Sequence, residues 1–153
     1  MERTLIILKP DCVQRRLIGR ILQRFEDKGM SIVGMKMMRI PRELAERHYA
    51  PHRDKPFYPA LLDYITSGPA VVLVLAGVRC IDVARTLMGS TFGFEAALGT
   101  IRGDFGVSRT FNLVHGSDAA ESAEAEITLY FKPGELLDYA TTGVEWIARP
   151  DEM

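Results

Sequence analysis

Of the three histidines in the chain, His115 stands in the setting best suited to chemistry. It follows the run Phe111-Asn112-Leu113-Val114 and precedes Gly116-Ser117-Asp118. A residue at a strand end before a glycine can project into a cleft, beside the free N–H groups of the next helix, which attract anions. A neutral imidazole can act as a covalent nucleophile, and it titrates close to neutrality. The same placement also suits a polar strand end with no reaction to perform, so the neighbouring residues must discriminate. His48 and His52 lie among arginine, glutamate and proline and read as surface residues.

The stretch before His115 holds what such a nucleophile needs. Thr100-Ile101-Arg102-Gly103-Asp104-Phe105 gathers a hydroxyl, a guanidinium and glycine, and Arg85 and Thr91 lie just upstream. Phosphoryl transfer depends on positioning and on stabilising charge at phosphate oxygens. Arginine suits this because its planar fork gives phosphate two hydrogen bonds. Arg85 and Arg102 have an alternative, pairing with Asp82 and Asp104. Lys9 ends an apolar run before Pro10 and reads as a solubilising charge, or alternatively as a phosphate contact. Tyr49 and Phe57 flank a proline-rich stretch. They are core aromatics or, if exposed, platforms on which any nucleobase can stack.

Familiar alternatives are absent from the sequence. It contains no G-x-G-x-x-G, and the nearest approach to a P-loop, Gly29 to Lys36, lacks the Gly-Lys-Ser/Thr ending. With no H-E-x-x-H and no cysteine cluster, neither a structural nor a catalytic zinc is expected. Cys12 and Cys80 are too far apart for a metal or redox motif and read as reduced thiols of a cytoplasmic protein.

The elements that position these residues follow from periodicity. Residues 3–9 and 31–40 read as strands, and 69–77, an apolar and β-branched run, as the strongest strand. Leu17, Ile18, Ile21, Leu22 and Phe25 recur at helical spacing up to Gly29. Residues 41–49 and 60–65 read as short helices separated by Pro51, Pro56 and Pro59, and 81–88 as a helix ended by Gly89. Residues 89–108 contain five glycines and no sustained period, and read as a long loop. A fourth strand is expected over 110–114, then a helix over 118–131 with Asp118 as N-cap and Glu121 as its capping partner. The order predicts an α/β chain of α+β sandwich type, a ferredoxin-like four-stranded antiparallel sheet covered by helices. One domain is expected over 1–153, with 132–153 as its tail.

With 153 residues and 47% hydrophobic content, the chain can bury a core without disulfides or metals. Its longest apolar stretch, 69–76, is too short to span a bilayer, and no signal-peptide pattern opens the chain. Net charge is −1, but residues 1–60 carry 13 Lys/Arg against 7 Asp/Glu, and 61–153 carry 6 against 13. That asymmetry marks either a nucleic-acid surface or two faces of one globule.

Taken together, these residues resemble the nucleoside diphosphate kinase family, from Arg3 to about Trp146. The matching stretches include Lys9-Pro10-Asp11, His48-Tyr49, Lys55-Pro56-Phe57, Gly99-Thr100-Ile101-Arg102-Gly103-Asp104-Phe105, Asn112-Leu113-Val114-His115-Gly116-Ser117-Asp118 and Glu121-Ser122-Ala123-Glu124. The resemblance implies transfer of the γ-phosphoryl of a nucleoside triphosphate to a nucleoside diphosphate, ping-pong, through a phosphohistidine on His115 with broad base tolerance. It implies phosphate contacts from Lys9, Tyr49, Arg85, Thr91 and Arg102, and ribose contacts from Lys9 and Asn112. Phe57 would stack on the base with Leu61 beside it. Glu126 and Ser117 would hold the imidazole tautomer. Mg²⁺ would bridge the phosphates, with Asp118 reaching it through water. A cytoplasmic homo-oligomer is implied, a hexamer rather than a tetramer on the length of the tail, with no membrane and no need of nucleic acid.

Three stretches depart from the family pattern. Thr91-Phe92-Gly93 stands for Thr-Asn-Pro, Leu98-Gly99-Thr100 for Pro-Gly-Thr, and Cys12 for a glycine. Two loop prolines are therefore missing, which predicts a looser loop and weaker assembly or stability. The turn at Cys12 must avoid a conformation only glycine tolerates. The competing readings are a ferredoxin-like nucleic-acid-binding module and an inactive assembly partner. The first would need aromatic pairs on open central strands. The second leaves the set from Lys9 to Glu126 without a purpose.

Overall fold

Side chains alternate across a strand, so Leu5 and Ile7 of β1 (Glu2–Leu8) face one layer of helices while Ile6 and Leu8 face the other. All of these side chains are fully buried. The structure, a computed structural model, describes residues 1–152; Met153, the last residue of the expected tail, lies outside them. β2 (Ser31–Arg39), β3 (Pro69–Gly77) and β4 (Val114–Gly116) complete a sheet of order β2-β3-β1-β4 in which every pairing is antiparallel. This is the expected ferredoxin-like order. β1 and β3 are central, which explains why both read as unbroken apolar runs rather than alternating ones.

One layer contains α1 (Pro10–Gln14), α2 (Ile18–Asp27), α5 (Cys80–Met88) and α6 (Ile101–Phe105). Ile21, Phe25, Met88 and Ile101 pack there on Ile6, Leu8, Leu73 and Leu75. The other layer contains α3 (Arg42–His48), α4 (Tyr58–Thr66) and α7 (Ala120–Tyr130), whose Ala45, Leu62, Ile65 and Tyr130 pack on Leu5, Ile7, Val72 and Val74. Full burial of one such leucine or isoleucine is worth about 1.5–3 kcal/mol. No helix among the described residues is long and apolar enough to cross a membrane.

Three expectations are corrected. Residues 89–108 are not a plain loop. They hold a 3₁₀ turn at Gly93–Glu95 and then α6, where the Thr100 hydroxyl accepts from the Gly103 N–H at 3.0 Å. Five residues are too few to display a helical period. The segment is tied to α2 by the Arg24–Asp104 pair and by Arg24 donating to the Gly99 carbonyl at 2.7 Å.

The fourth strand covers Val114–Gly116, not 110–114. Leu113 has a φ of 70°, and the Val114 N–H bonds to the Asn112 carbonyl at 2.8 Å, a γ-turn that breaks the extended run. Finally, α7 is capped at Ala119, whose N–H donates to the Ser122 hydroxyl at 3.0 Å, and Ser122 in turn donates to Asp118 at 2.6 Å. Asp118 is not the N-cap, and Ser122 takes the place foreseen for Glu121.

Cys12 lies within α1 and is not among the residues with positive φ, as its side chain requires. The tail runs beside β2, with the Leu137 N–H on the Val33 carbonyl at 2.8 Å and the Tyr139 hydroxyl on the Ile32 carbonyl at 2.8 Å. In the proline-poor loop, Leu98 is 87% exposed, and its N–H makes no hydrogen bond among the described residues. Leu98→Pro therefore sacrifices no bond while restricting the unfolded chain. It should raise stability by about 0.4–1 kcal/mol, read as a higher urea midpoint. An unchanged midpoint and oligomeric state would show that the missing proline has no effect.

Candidate active site

β4 is short, but its register places His115. His115 sits opposite Ile7 on β1, so both face the layer of α3 and α7. The imidazole is 19% exposed, and its Nε2 lies 2.9 Å from Oε2 of Glu126 on α7. The Ser117 hydroxyl donates to the same oxygen at 2.7 Å and accepts from the Leu5 N–H at 3.3 Å. An ionised carboxylate only accepts, so Nε2 carries the proton and Nδ1 keeps its lone pair.

A second group forms at the end of β1. Lys9 is buried, and its ammonium donates to Asn112 Oδ1 at 2.7 Å; the Asn112 amide donates to the Thr91 carbonyl at 3.1 Å. Arg102 is buried beneath them and donates to the carbonyls of Asn112, Gly89 and Val114 at 3.1, 2.9 and 2.8 Å. That leaves roughly two of its five N–H donors.

Burial first, and then the charge of Arg102, pushes the Lys9 pKa down to about 7. Burial first, and then Arg85, pushes Arg102 down to about 10. The alternative pairings do not form. Asp104 is taken by Arg24 and Asp82 by Arg79, while Arg85 is exposed and directed to the Gly116 carbonyl at 3.4 Å. Lys9, being buried, is not a solubilising charge.

The aromatic residues divide. Tyr49 is buried, its hydroxyl has no hydrogen-bond partner, and burial pushes its pKa up. Its ring lies 6.2 Å from that of His115. Phe57 is 52% exposed at the start of α4, and Leu61 is half-buried one turn later. Asp118 is exposed, and the Ser122 hydroxyl holds its carboxyl below the usual range.

His48 corrects the sequence reading. It is buried rather than at the surface, and its ring stands edge-on to His115 at 4.5 Å between centroids. Its spacing carried a signal, because Ala45, His48 and Tyr49 form the buried i, i+3, i+4 face of α3. Asp11 was also missed. It accepts from the Tyr64 hydroxyl and from the Leu113 N–H, and so supports the turn beside Asn112. A hollow of about 430 Å³ between α1, α4 and residues 107–111 is lined by Pro10, Tyr64 and Phe111 but by none of the candidate site residues.

Folding loosens the grip of Lys9 on its proton, from 10.5 to about 7. The unfolded chain therefore binds more protons across that window, and the Lys9 contribution to stability rises with pH through it and is smallest below it. The urea midpoint of the wild type, relative to Lys9→Met, should climb from about pH 7 to pH 10. Parallel curves would show that Lys9 carries no such shift.

A family model described as nucleoside diphosphate kinase matches residues 2–136. A nucleoside diphosphate kinase of Rhodopirellula baltica is 51% identical, over 99% of this chain and 100% of the relative. One from Pyrococcus horikoshii is 57% identical over 90% of each chain. A solved structure of a halophilic nucleoside diphosphate kinase from Halobacterium salinarum, in complex with CDP, superposes with a TM-score of 0.94. It is 48% identical and covers 96% of this chain and 98% of its own. An imidazole held by a carboxylate, buried cations at the end of β1 and this agreement along the chain lead to one conclusion: the chain belongs to the nucleoside diphosphate kinase family, enzymes that transfer phosphoryl groups between nucleotides.

Proposed function

We propose that this transfer is ping-pong and runs through Nδ1 of His115. The observation that carries the reading is the Glu126 clamp on Nε2, which leaves the other ring nitrogen unprotonated. Nδ1 attacks the γ-phosphorus of a nucleoside triphosphate, and the bond from that phosphorus to the β–γ bridging oxygen breaks. The nucleoside diphosphate leaves with the electron pair. A terminal oxygen of a second nucleoside diphosphate then takes the phosphoryl group, and the pair returns to Nδ1. Glu126 stabilises the imidazolium character of the phosphorylated ring, and Ser117 fixes the carboxylate.

Lys9, Tyr49, Arg85, Thr91 and Arg102 contact the phosphates in this reading, and Lys9 and Asn112 the ribose hydroxyls. Three features support it: the orphaned Tyr49 hydroxyl, the spare donors of Arg102 and the exposed guanidinium of Arg85. The open ring of Phe57, with Leu61 beside it, offers stacking without base-edge hydrogen bonds, hence breadth across bases. The divalent ion such an enzyme needs is proposed to be Mg²⁺. Asp118 fits it as an ionised oxygen donor near His115, reaching through water as this hard cation prefers. When bound, Mg²⁺ neutralises charge on the phosphates.

We further propose one catalytic domain over 1–153 with 132–153 as its tail, working in the cytoplasm as a homo-oligomer, a hexamer rather than a tetramer. Exposed Phe94, Phe111, Leu137, Tyr139 and Trp146 provide apolar surface for assembly. An RNA-binding sheet is disfavoured because helices cover both faces of β1 and β3.

Incubation with γ-labelled ATP should leave label on the protein that survives base and is lost in acid, as phosphohistidine is. His115→Ala should take up none. Glu126→Gln should slow labelling by about 10²–10⁴-fold without unfolding. Acid-stable label, or none on folded wild-type protein, would end the proposal.

A further inference from the structure

The phosphotransfer reading leaves one buried group unused. His48 is 6% exposed, and neither of its ring nitrogens has a hydrogen-bond partner. A buried imidazole without partners forfeits hydrogen bonds it would make in water. Its neighbours do not repair this. The rings of Tyr49, His115 and Tyr130 stand edge-on around it at 4.4, 4.5 and 5.6 Å, and the Tyr49 and Tyr130 hydroxyls are themselves without partners.

The lone pair of His48 does have company of another kind. One donor atom each from His48, His115 and Glu126 lies within 4.8 Å of the other two. Two imidazoles and a carboxylate form a donor set that suits a borderline ion such as Zn²⁺, which takes nitrogen at about 2.0–2.1 Å and carboxylate oxygen at a similar distance. Tetrahedral coordination spaces its donors by roughly 3.3 Å, so the widest pair closes on the ion through small side-chain rotations. His115 and Glu126 are partly exposed, at 19% and 16%, so an ion enters from the cleft and keeps a fourth position for water. Lys9, the nearby cation at the end of β1, is held by Asn112 and turned into a weak base by burial, so it opposes the ion little near neutrality. Mg²⁺ prefers oxygen and does not compete for two imidazoles.

We propose that His48, His115 and Glu126 form a site for a borderline divalent transition ion such as Zn²⁺, distinct from the Mg²⁺ that accompanies nucleotide. Binding at Nε2, the nitrogen beside Glu126, moves the ring proton to Nδ1 and so removes the lone pair that would attack phosphorus. The ion therefore excludes phosphate from His115, a consequence that rests on the phosphohistidine reading, whereas the binding itself does not. Zn²⁺ acts here as a reversible inhibitor, and His48 supplies affinity without touching substrate.

The test is a titration of ¹⁵N-histidine-labelled protein, free of nucleotide, with Zn²⁺ alone. The ring nitrogens of His48 and His115 should move together while those of His52 stay, and Mg²⁺ should move neither. His48→Gln and Glu126→Gln should each weaken binding by at least about tenfold, since even outer partners of a metal ligand are worth 10–100-fold. Zn²⁺ should slow phosphorylation by labelled ATP, and a chelator should restore it. Should His48→Gln fail to fold, the wild-type protein still decides, because the rings of His48 and His115 must respond together and saturably. Movement of His52 alone, no saturable response, or affinity unchanged by the substitutions overturns the site. Label that fails to form without Zn²⁺ overturns the phosphohistidine instead and leaves the ring response standing.

Discussion

The contact between the Glu126 carboxylate and Nε2 of His115 governs how the rest of the site can work. An imidazole left to itself divides its proton between two nitrogens and rotates. Here one nitrogen is held at 2.9 Å by an oxygen that Ser117 also holds, and Ser117 is anchored to the Leu5 backbone. The chain of bonds runs from the centre of the sheet to the His115 ring. Orientation and tautomer are thus set by β1 and α7, and α7 packs directly on the sheet.

The cationic half of the site is built against local preference. Leu113 is fully buried with a φ of 70°, a conformation that costs a leucine about 1–3 kcal/mol. Its surroundings hold it there. The Asp11 carboxylate takes its N–H at 3.1 Å, the Lys9 N–H takes its carbonyl at 2.8 Å, and Arg102 grips the carbonyls on either side. The turn delays the start of β4 and brings Asn112 onto the Lys9 ammonium. Strain and site have the same cause.

Lys9 and Arg102 share a further property: both are buried cations whose side-chain hydrogen bonds among the described residues go to neutral amide and carbonyl oxygens. Desolvation lowers the pKa of each, so the site holds positive charge at some cost. A polyphosphate held there, as proposed, would relieve that cost. Preorganised donors with no counterion of their own stabilise an anionic transition state more than the same groups in water.

What the sequence determined by itself was the pattern. Unbroken apolar runs at β1 and β3 imply central strands, Leu17 to Phe25 implies a helix, and Asn112 to Asp118 with Thr100 to Asp104 marks the site, because these signals lie in neighbouring residues. Short elements escaped it. α6 has too few residues to show a period, and the γ-turn at Leu113 is dictated by Asp11, Lys9 and Arg102, which are remote in sequence. Tertiary structure alone settled which partner each charge finds. Asp104 goes to Arg24 rather than Arg102, and His48 goes into the interior beside His115 rather than to the surface. A side chain's partner depends on what the rest of the chain packs against it, and that is fixed only when the helices close over both faces of the sheet.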